Sequence, residues 1–293
     1  MNFNCGGAVQ KVVVFDIGGS NSRIALFDGD DIVWRDQAAT PGQQGPDAMV
    51  ARMVELYLPT LNQRLLNLDV NIGVAITGQI VDGCVTAHNA AVLPGWQSYP
   101  LQKVLSEKLQ RSVRIVNDAR AAAWGEYLYG TGRGVDEFLF LTVSTGVGAG
   151  LVLNRRLHIA RNGFDAEIGE MKTADGATLE EHASGTALGR LALEHGYAGA
   201  KSLCDAADLG DSRATELVEN GIREIAKKLA DLAVMLGIQR VAVGGSVGLR
   251  AGYIERLRSE VAKYPPIYQV ELVAAALGHD AGLVGVAALA RSV

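Results

Sequence analysis

The stretch KVVVFDIGGSNSRIALF, residues 11–27, decides the architecture. A β-branched run climbs to Asp16, a glycine-rich turn follows, and a second apolar run begins after Arg23. β-Branched residues favour strands and glycine pairs mark tight turns, so the segment predicts two antiparallel strands joined by a short loop. The same outline recurs at FLFLTVSTGVGAGLVLN, residues 138–154, where Ser144 takes the place that Asp16 has in the first copy. One supersecondary unit written twice predicts two lobes of related architecture. The length agrees, since 293 residues lie at the limit of roughly 250–300 where a single core stops growing.

Outward from these hairpins the pattern alternates. Asp31 to Arg35 predicts a third strand, residues 46–66 a helix with Met49, Met53, Leu56 and Tyr57 on its apolar face, and Asn71–Ile76 a buried strand. Residues 100–110 read as a helix, and Val113–Val116 as a strand ending at Asn117-Asp118. Residues 212–236 carry Leu217, Ile222, Ile225, Leu229, Leu232 and Leu236 at helical spacing, with Gly237 as the C-cap. The strand Arg240–Val243 breaks into Gly244-Gly245-Ser246, and an apolar helix over about 281–290 closes the chain. Such alternation predicts an α/β fold with buried parallel strands.

Composition excludes several function classes. Lys and Arg number 27 against 32 Asp and Glu, a net charge of −5. No concentrated positive face for nucleic acid is expected from that balance. No apolar run approaches the ~20 residues of a membrane span, and MNFNCGGAVQ carries no signal-peptide pattern. Cys5, Cys84 and Cys204 are isolated, which predicts a reducing, cytoplasmic compartment. His88, His158, His182, His195 and His279 show no metal-ligand spacing.

The glycine loops carry the chemistry. Gly18 and Gly19 leave amides that a bound oxyanion can approach, and Ser20, Asn21 and Ser22 add short polar groups. Asp16 cannot usefully meet a phosphate without a cation between them, so a hydrated Mg²⁺ is its natural mediator. Thr145, Gly146, Gly148 and Gly150 repeat the arrangement. Neither loop is a P-loop or a dinucleotide fingerprint, because no GxxxxGK[ST] is present and a strand follows each turn. A plain hairpin explains either loop alone; two of them favour a nucleotide. At 244–248, GGSVG has small residues against which a flat adenine ring can lie.

Asp118 opens the helix-prone stretch Ala119–Tyr127, where a lone carboxylate serves as an N-cap. At a strand end between two phosphate loops it also suits a general base for phosphoryl transfer to an alcohol. Glu167, Glu170, Glu180 and Glu181 form a further acidic set near Gly163 and Gly169, either a solvated loop or a set of acceptors for sugar hydroxyls.

These residues resemble the ROK family of sugar kinases, over almost the whole chain. The resemblance rests on DIGGSNSR at 16–23, NDARAAAWGE at 117–126, VSTGVGAG at 143–150, EIGE at 167–170, LEEHASG at 179–185 and VGGSVGL at 243–249. With HDAGLVGVAALA at 279–290, the set is most similar to the family's bacterial N-acetylmannosamine kinases. The resemblance implies a two-lobed actin-like ATPase (ribonuclease H-like) fold with the active-site cleft between the lobes. Residues 1–117 with the C-terminal helix, about 281–293, would form one lobe and 118–280 the other. It implies that Asp118 takes a proton from the sugar 6-hydroxyl, while Asn89, Asn117, Glu167, Glu170 and Glu180 bind the sugar. ATP would be held by Asp16, Gly18, Gly19, Ser20, Asn21 and Arg23, by Ser144, Thr145, Gly146 and Gly148, and by Gly244 and Gly245. Mg²⁺ would sit on Asp16 through water.

Two departures carry consequences. Most family members have a zinc site built from a His after ExG and a CxCGxxGC segment. Here Glu170 stands in the His position and no cysteine segment lies between Lys172 and Leu179. A zinc-free variant is expected, its shortened loop ordered by packing. The missing His also contacts sugar in relatives, and Val92 replaces a usual Asn in AAVLPGW at 90–96, so the choice of hexose is open. The expected activity is conversion of N-acetylmannosamine and ATP to the 6-phosphate and ADP, in sialic acid catabolism. An N-acetylglucosamine kinase or glucokinase is the alternative. A ROK transcription regulator needs a helix-turn-helix domain ahead of the first hairpin, and only ten residues precede Lys11. The expected partners are a small sugar and a second copy of the chain, with no nucleic acid and no membrane.

Overall fold

The computed structural model describes residues 11–19, 21–60, 70–87, 93–164 and 166–291. The chain forms two compact units, Met1–Gly125 with Ala160–Phe164 and Asp280–Val293, and Glu126–Ile159 with Asp165–His279. The division therefore falls inside the helix that begins at Asp118, eight residues beyond the expected boundary at about 117. Residues 160–164 also pack with the first unit rather than with their neighbours in sequence.

In the first unit β1 (Val12–Ile17) is buried along its whole length and takes the middle of the sheet. It pairs antiparallel with β2 (Asn21–Asp28), which pairs with β3 (Asp31–Ala39). On its other side run β4 (Asn71–Ile76) and then β7 (Val113–Asn117), both parallel. A small hairpin, β5 (Gln79–Val81) and β6 (Cys84–Thr86), lies between β4 and β7 in sequence. The register aligns Ile17 with Ile76 and Ile76 with Asn117, so Asp16 and Asp118 lie at the same carboxyl edge of the sheet. Ligands of open α/β sheets bind outside that edge.

The helices of this unit are α1 (Gly45–Thr60), α2 (Leu101–Leu109), the start of α3 (Asp118–Tyr129) and α9 (Ala281–Arg291). The apolar faces of α1 and α2 meet the sheet in one core that holds Phe15, Ile24, Met49, Met53, Tyr57, Ile72, Trp96 and Leu105, and α9 packs on β1 and β4. Glycine decides how closely α9 approaches. A Cβ on Gly73 would lie 2.8 Å from Val286 of α9, and one on Gly285 would overlap the Ala121 carbonyl of α3.

The second unit repeats the plan. Its sheet runs β10-β9-β8-β11-β12 among the described residues, from Arg156–Leu157, Val147–Leu153, Phe138–Val143, Arg240–Gly244 and Glu271–Ala274. The first three are antiparallel neighbours and the last two run parallel to β8. Gly244 stands opposite Thr142, which brings both glycine loops of this unit to one carboxyl edge. Helices α4 (Leu179–Ala183), α5 (Gly185–Glu194), α6 (Ala200–Asp208), α7 (Ser212–Leu236) and α8 (Tyr253–Val261) cover it. The 25-residue α7 is capped at its start by Asp211, which accepts the Ala214 amide at 2.8 Å. It ends at Gly237, whose φ of +67° only glycine adopts at little cost.

Candidate active site

In the first unit, the turn after β1 is closed by the Gly18 amide donating to the Asn21 carbonyl at 3.0 Å. The Thr40 hydroxyl donates to the Gly18 carbonyl at 2.8 Å, so that carbonyl is occupied from β3's end. Gly19 is exposed, and a Cβ added there would meet nothing within 4 Å, which leaves its backbone open to a ligand. Asn21 is exposed beside it. Ser20 and Asn89 lie outside the described residues.

Asp16 is buried and ion-paired to Arg23, its cross-strand neighbour. Arg23 also faces Asp280 at 3.7 Å, and Asp280 meets Arg35 at 3.4 Å. Burial pushes the Asp16 carboxyl above its ordinary 3.8, Arg23 pulls it down, and Asp280 pushes it up again. One guanidinium thus leaves Asp16 short of positive charge. A hydrated divalent cation would supply what is lacking, and a strand-end carboxylate is a ligand type that suits Mg²⁺. Asp280 is the residue that sequence reasoning passed over. Its signal was the polar pair His279-Asp280 ahead of the closing helix, and only the fold brings it to Arg23.

Asn117 and Asp118 join β7 to α3. The Asn117 side-chain oxygen accepts the amides of Ala119 and Arg120 at 3.0 and 3.2 Å, and its nitrogen donates to the Gly78 carbonyl at 3.3 Å. Asn117 is therefore the cap of α3. Asp118 accepts the Ala119 amide through Oδ1 at 2.9 Å and is half-exposed, so it adds to the cap that Asn117 forms and is also an accessible carboxylate.

In the second unit, the turn between β8 and β9 is bonded asymmetrically. Its carbonyls are all taken. The Val143 carbonyl accepts Val247 and Gly248, Ser144 accepts Gly185 at 2.7 Å, and Thr145 accepts the amide and hydroxyl of Thr186. The Gly146 carbonyl accepts the Ser144 amide at 2.9 Å. Among the described residues no acceptor takes the amides of Thr145 or Gly146. Thr145 is exposed at the tip. A turn whose carbonyls are satisfied and whose N–H groups are not is a place for an anion.

Glu180 lies against the same turn and accepts the Val147 amide at 2.8 Å. A Cβ on Gly146 would overlap that carboxylate, and one on Gly169 would overlap the Val147 carbonyl. The helical turn Ile168–Glu170 thereby seats against β9, with Glu167 half-buried at its start and Glu170 exposed at its end. Its neighbour Glu181 instead completes a capping box with Thr178 and belongs to the helix. Gly148 lies within β9, opposite Thr142. Gly244 lacks a side chain because Phe140 stands 2.9 Å from where a Cβ would be, and Gly245 adopts φ +85° against the Val143 carbonyl. Packing alone thus demands both glycines.

The loop expected to order itself by packing is held by hydrogen bonds. Asp175 accepts Thr173 at 2.5 Å and the Ala177 amide at 3.2 Å, and His182 approaches it at 3.0 Å. Thr173 and Ala177 bond across the turn at 2.9 Å. These bonds hold the Asp175 carboxyl low, at about 2. No cluster of three metal-ligating side chains occurs among the described residues.

Two sheets of one plan, each an antiparallel hairpin continued by parallel strands with a glycine turn at the edge, define an α/β protein of the two-lobed actin-like ATPase class. A glucokinase from Streptomyces griseus, solved with glucose and AMPPNP, has this fold at a TM-score of 0.81 and 26% identity, over 97% of this chain and all of that one. The ROK family's sequence profile matches residues 12–293, and the chain belongs to the ROK family. It is 34% identical to the N-acetylmannosamine kinase of Yersinia pestis, over 96% of this chain and 99% of the relative. It is 33% identical to the bifunctional enzyme NanE/NanK of Brucella melitensis over 97% of its own length, but spans about half, 54%, of that relative.

Proposed function

We propose that this chain is an ATP-dependent sugar kinase that converts N-acetylmannosamine to its 6-phosphate in the breakdown of sialic acid. The observation that carries the chemistry is the β8–β9 turn, with bonded carbonyls and unclaimed amides at Thr145 and Gly146. The sugar is supported by identity of 34% to an N-acetylmannosamine kinase matched over 99% of its length.

In this reading Asp118 accepts the proton of the sugar 6-hydroxyl as its oxygen bonds to the γ-phosphorus. The bond from that phosphorus to the bridging oxygen breaks, and ADP leaves with the electron pair. The amides of Thr145 and Gly146 stabilise the phosphate oxygens, with Gly18, Gly19, Ser20 and Asn21 contributing from the first hairpin. Ser144 and Gly148 frame the second turn, and Gly244 and Gly245 present backbone to the base. Asp16 would hold a hydrated Mg²⁺, whose charge would offset that of the phosphates. Arg23, ion-paired to Asp16, adds its charge to the same phosphate site. Asn117, Glu167, Glu170 and Glu180 take the sugar hydroxyls, with Asn89, and no zinc is needed. The same reading makes the protein a cytoplasmic homodimer, which sedimentation checks.

The test is ADP release with N-acetylmannosamine, N-acetylglucosamine, glucose, mannose and allose, in wild type and Asp118→Asn. Turnover on N-acetylmannosamine is expected, reduced about 10²–10⁴-fold in the variant, the worth of a positioned base. Phosphorylation of glucose alone would replace the substrate and keep the kinase; unimpaired turnover in Asp118→Asn would remove the base.

A further inference from the structure

Between β11 and α8 the chain makes a turn, residues 245–252, anchored at its start by backbone and at its end by charge. The amides of Val247 and Gly248 both donate to Val143 at 3.0 Å, and Leu249 donates to Gly245 at 2.9 Å. At the far end Arg250 reaches α6, donating to Asp205 at 2.6 Å and Asp208 at 2.8 Å. Lys201 takes the other oxygen of Asp205 at 2.7 Å, and Arg256 the other oxygen of Asp208 at 2.9 Å. All four carboxylate oxygens are thus bonded to cations, and Arg250 sits between the two acids. Charge-assisted bonds of this kind are short and directional. Arg250 is pushed above its ordinary value by them, and Asp205 is held below its own, first by Lys201 and then by Arg250.

What the turn presents is a short hydroxyl side chain and one apolar side chain. Ser246 and Leu249 are exposed beside Gly244 and Gly245, and Leu249 leaves 41% of its surface to solvent. A flat heteroaromatic ring needs such a face, and it needs the face held still.

We propose that Arg250 is a positioning residue for the nucleotide base: through Asp205 and Asp208 it fixes the turn on which the adenine lies. The proposal rests on the kinase reading above. It separates base from phosphate, because the phosphates are assigned to the two hairpins and not to this turn. It also separates binding from stability, since partly exposed ion pairs contribute little to the folded state.

The experiment compares wild type, Arg250→Met, Arg250→Lys and Asp208→Asn by KM for ATP, KM for sugar, inhibition by inorganic tripolyphosphate, and melting temperature. Arg250→Met is expected to raise the KM for ATP about tenfold, the value of a lost charged hydrogen bond. Sugar KM and tripolyphosphate inhibition should stay at their wild-type values, and lysine should restore part of the loss. Combining Asp208→Asn with Arg250→Met should add nothing further. An unchanged KM for ATP in folded Arg250→Met overturns the proposal. So does an equal rise in sugar KM, or parallel weakening of tripolyphosphate. Should Arg250→Met fail to fold, Arg250→Lys and Asp208→Asn carry the same comparison. Wild type without ATP-dependent activity would sink the kinase reading itself, which is a different result from an active wild type with indifferent variants.

Discussion

Gly146 has no side chain because Glu180 occupies the space that a methyl group would need. The carboxylate stands there to accept the Val147 amide, and in doing so it closes one side of the turn, whose remaining amides have no acceptor among the described residues. Gly146→Ala should therefore displace Glu180 and spoil the turn. We expect kcat/KM to fall about tenfold, the worth of one charged hydrogen bond. Gly146→Ala combined with Glu180→Ala should then lose no more than Glu180→Ala alone, since the clash is gone. Steady-state kinetics on the three variants checks this, and additive losses would show that the methyl acts elsewhere. Asp118 makes a related point: its Oδ1 caps α3, so Asn keeps the cap and removes the base, which makes it the cleaner substitution than Ala.

At the scale of elements, α3 and α9 approach so closely that two glycines are obligatory. A Cβ on Gly285 would overlap the Ala121 carbonyl, and one on Gly125 would stand 2.6 Å from that of Ala281. These are backbone atoms and cannot rotate away. Gly285→Ala should cost about 3 kcal/mol, the upper part of the range for overpacking, read from the midpoint of urea unfolding. A shift under a third of that would mean the helices slide apart freely. The turn after Lys172 is the opposite case, where one polar side chain organises an exposed loop. Asp175 is held at about 2 by Thr173, then His182, then Ala177. A carboxylate with a lowered folded pKa stabilises above its ordinary 3.8 and loses that contribution as pH falls toward its folded value. Asp175→Asn should thus be less stable than wild type at neutral pH, and the gap should close between about pH 4 and pH 2. A gap that persists at the acid end would assign the loss to geometry instead of charge.

Across the whole molecule the same linkage is unevenly distributed. Among the described residues, Asp175, Glu181, Asp205 and Asp211 are held below their ordinary values, and these four belong to the second unit. In the first unit Asp16 is shifted the other way by burial. Acid should consequently loosen the second unit before the first. Hydrogen exchange at pH 3 and pH 7 is expected to show protection lost earlier from residues 165–279 than from β1 and β4. Equal loss in both units would mean that other groups govern acid unfolding. Bound nucleotide should also raise the melting temperature, by about 2.7 kcal/mol of added stability at a hundredfold excess over its Kd.

The plan of both sheets was legible in local chemistry. β-Branched runs, glycine turns and helical spacing depend on neighbours in sequence, and β1, β2, β4, β7, β8, β9, β11, α7 and α9 follow them closely. The short helices α4 to α6 were not legible, because five to ten residues are too short a window for helical spacing to stand out. At the candidate site, the residues that bear chemistry could be named from their types and their places at strand ends. Their partners could not. That Asp280 faces Arg23, that Glu180 holds Val147, and that Arg250 lies between Asp205 and Asp208 are matters of separations from 33 to 257 residues along the chain. Side-chain identity is local, whereas hydrogen-bond pairing and burial depend on what folding brings near, so the sequence by itself determined the architecture and the tertiary structure alone decided the electrostatics.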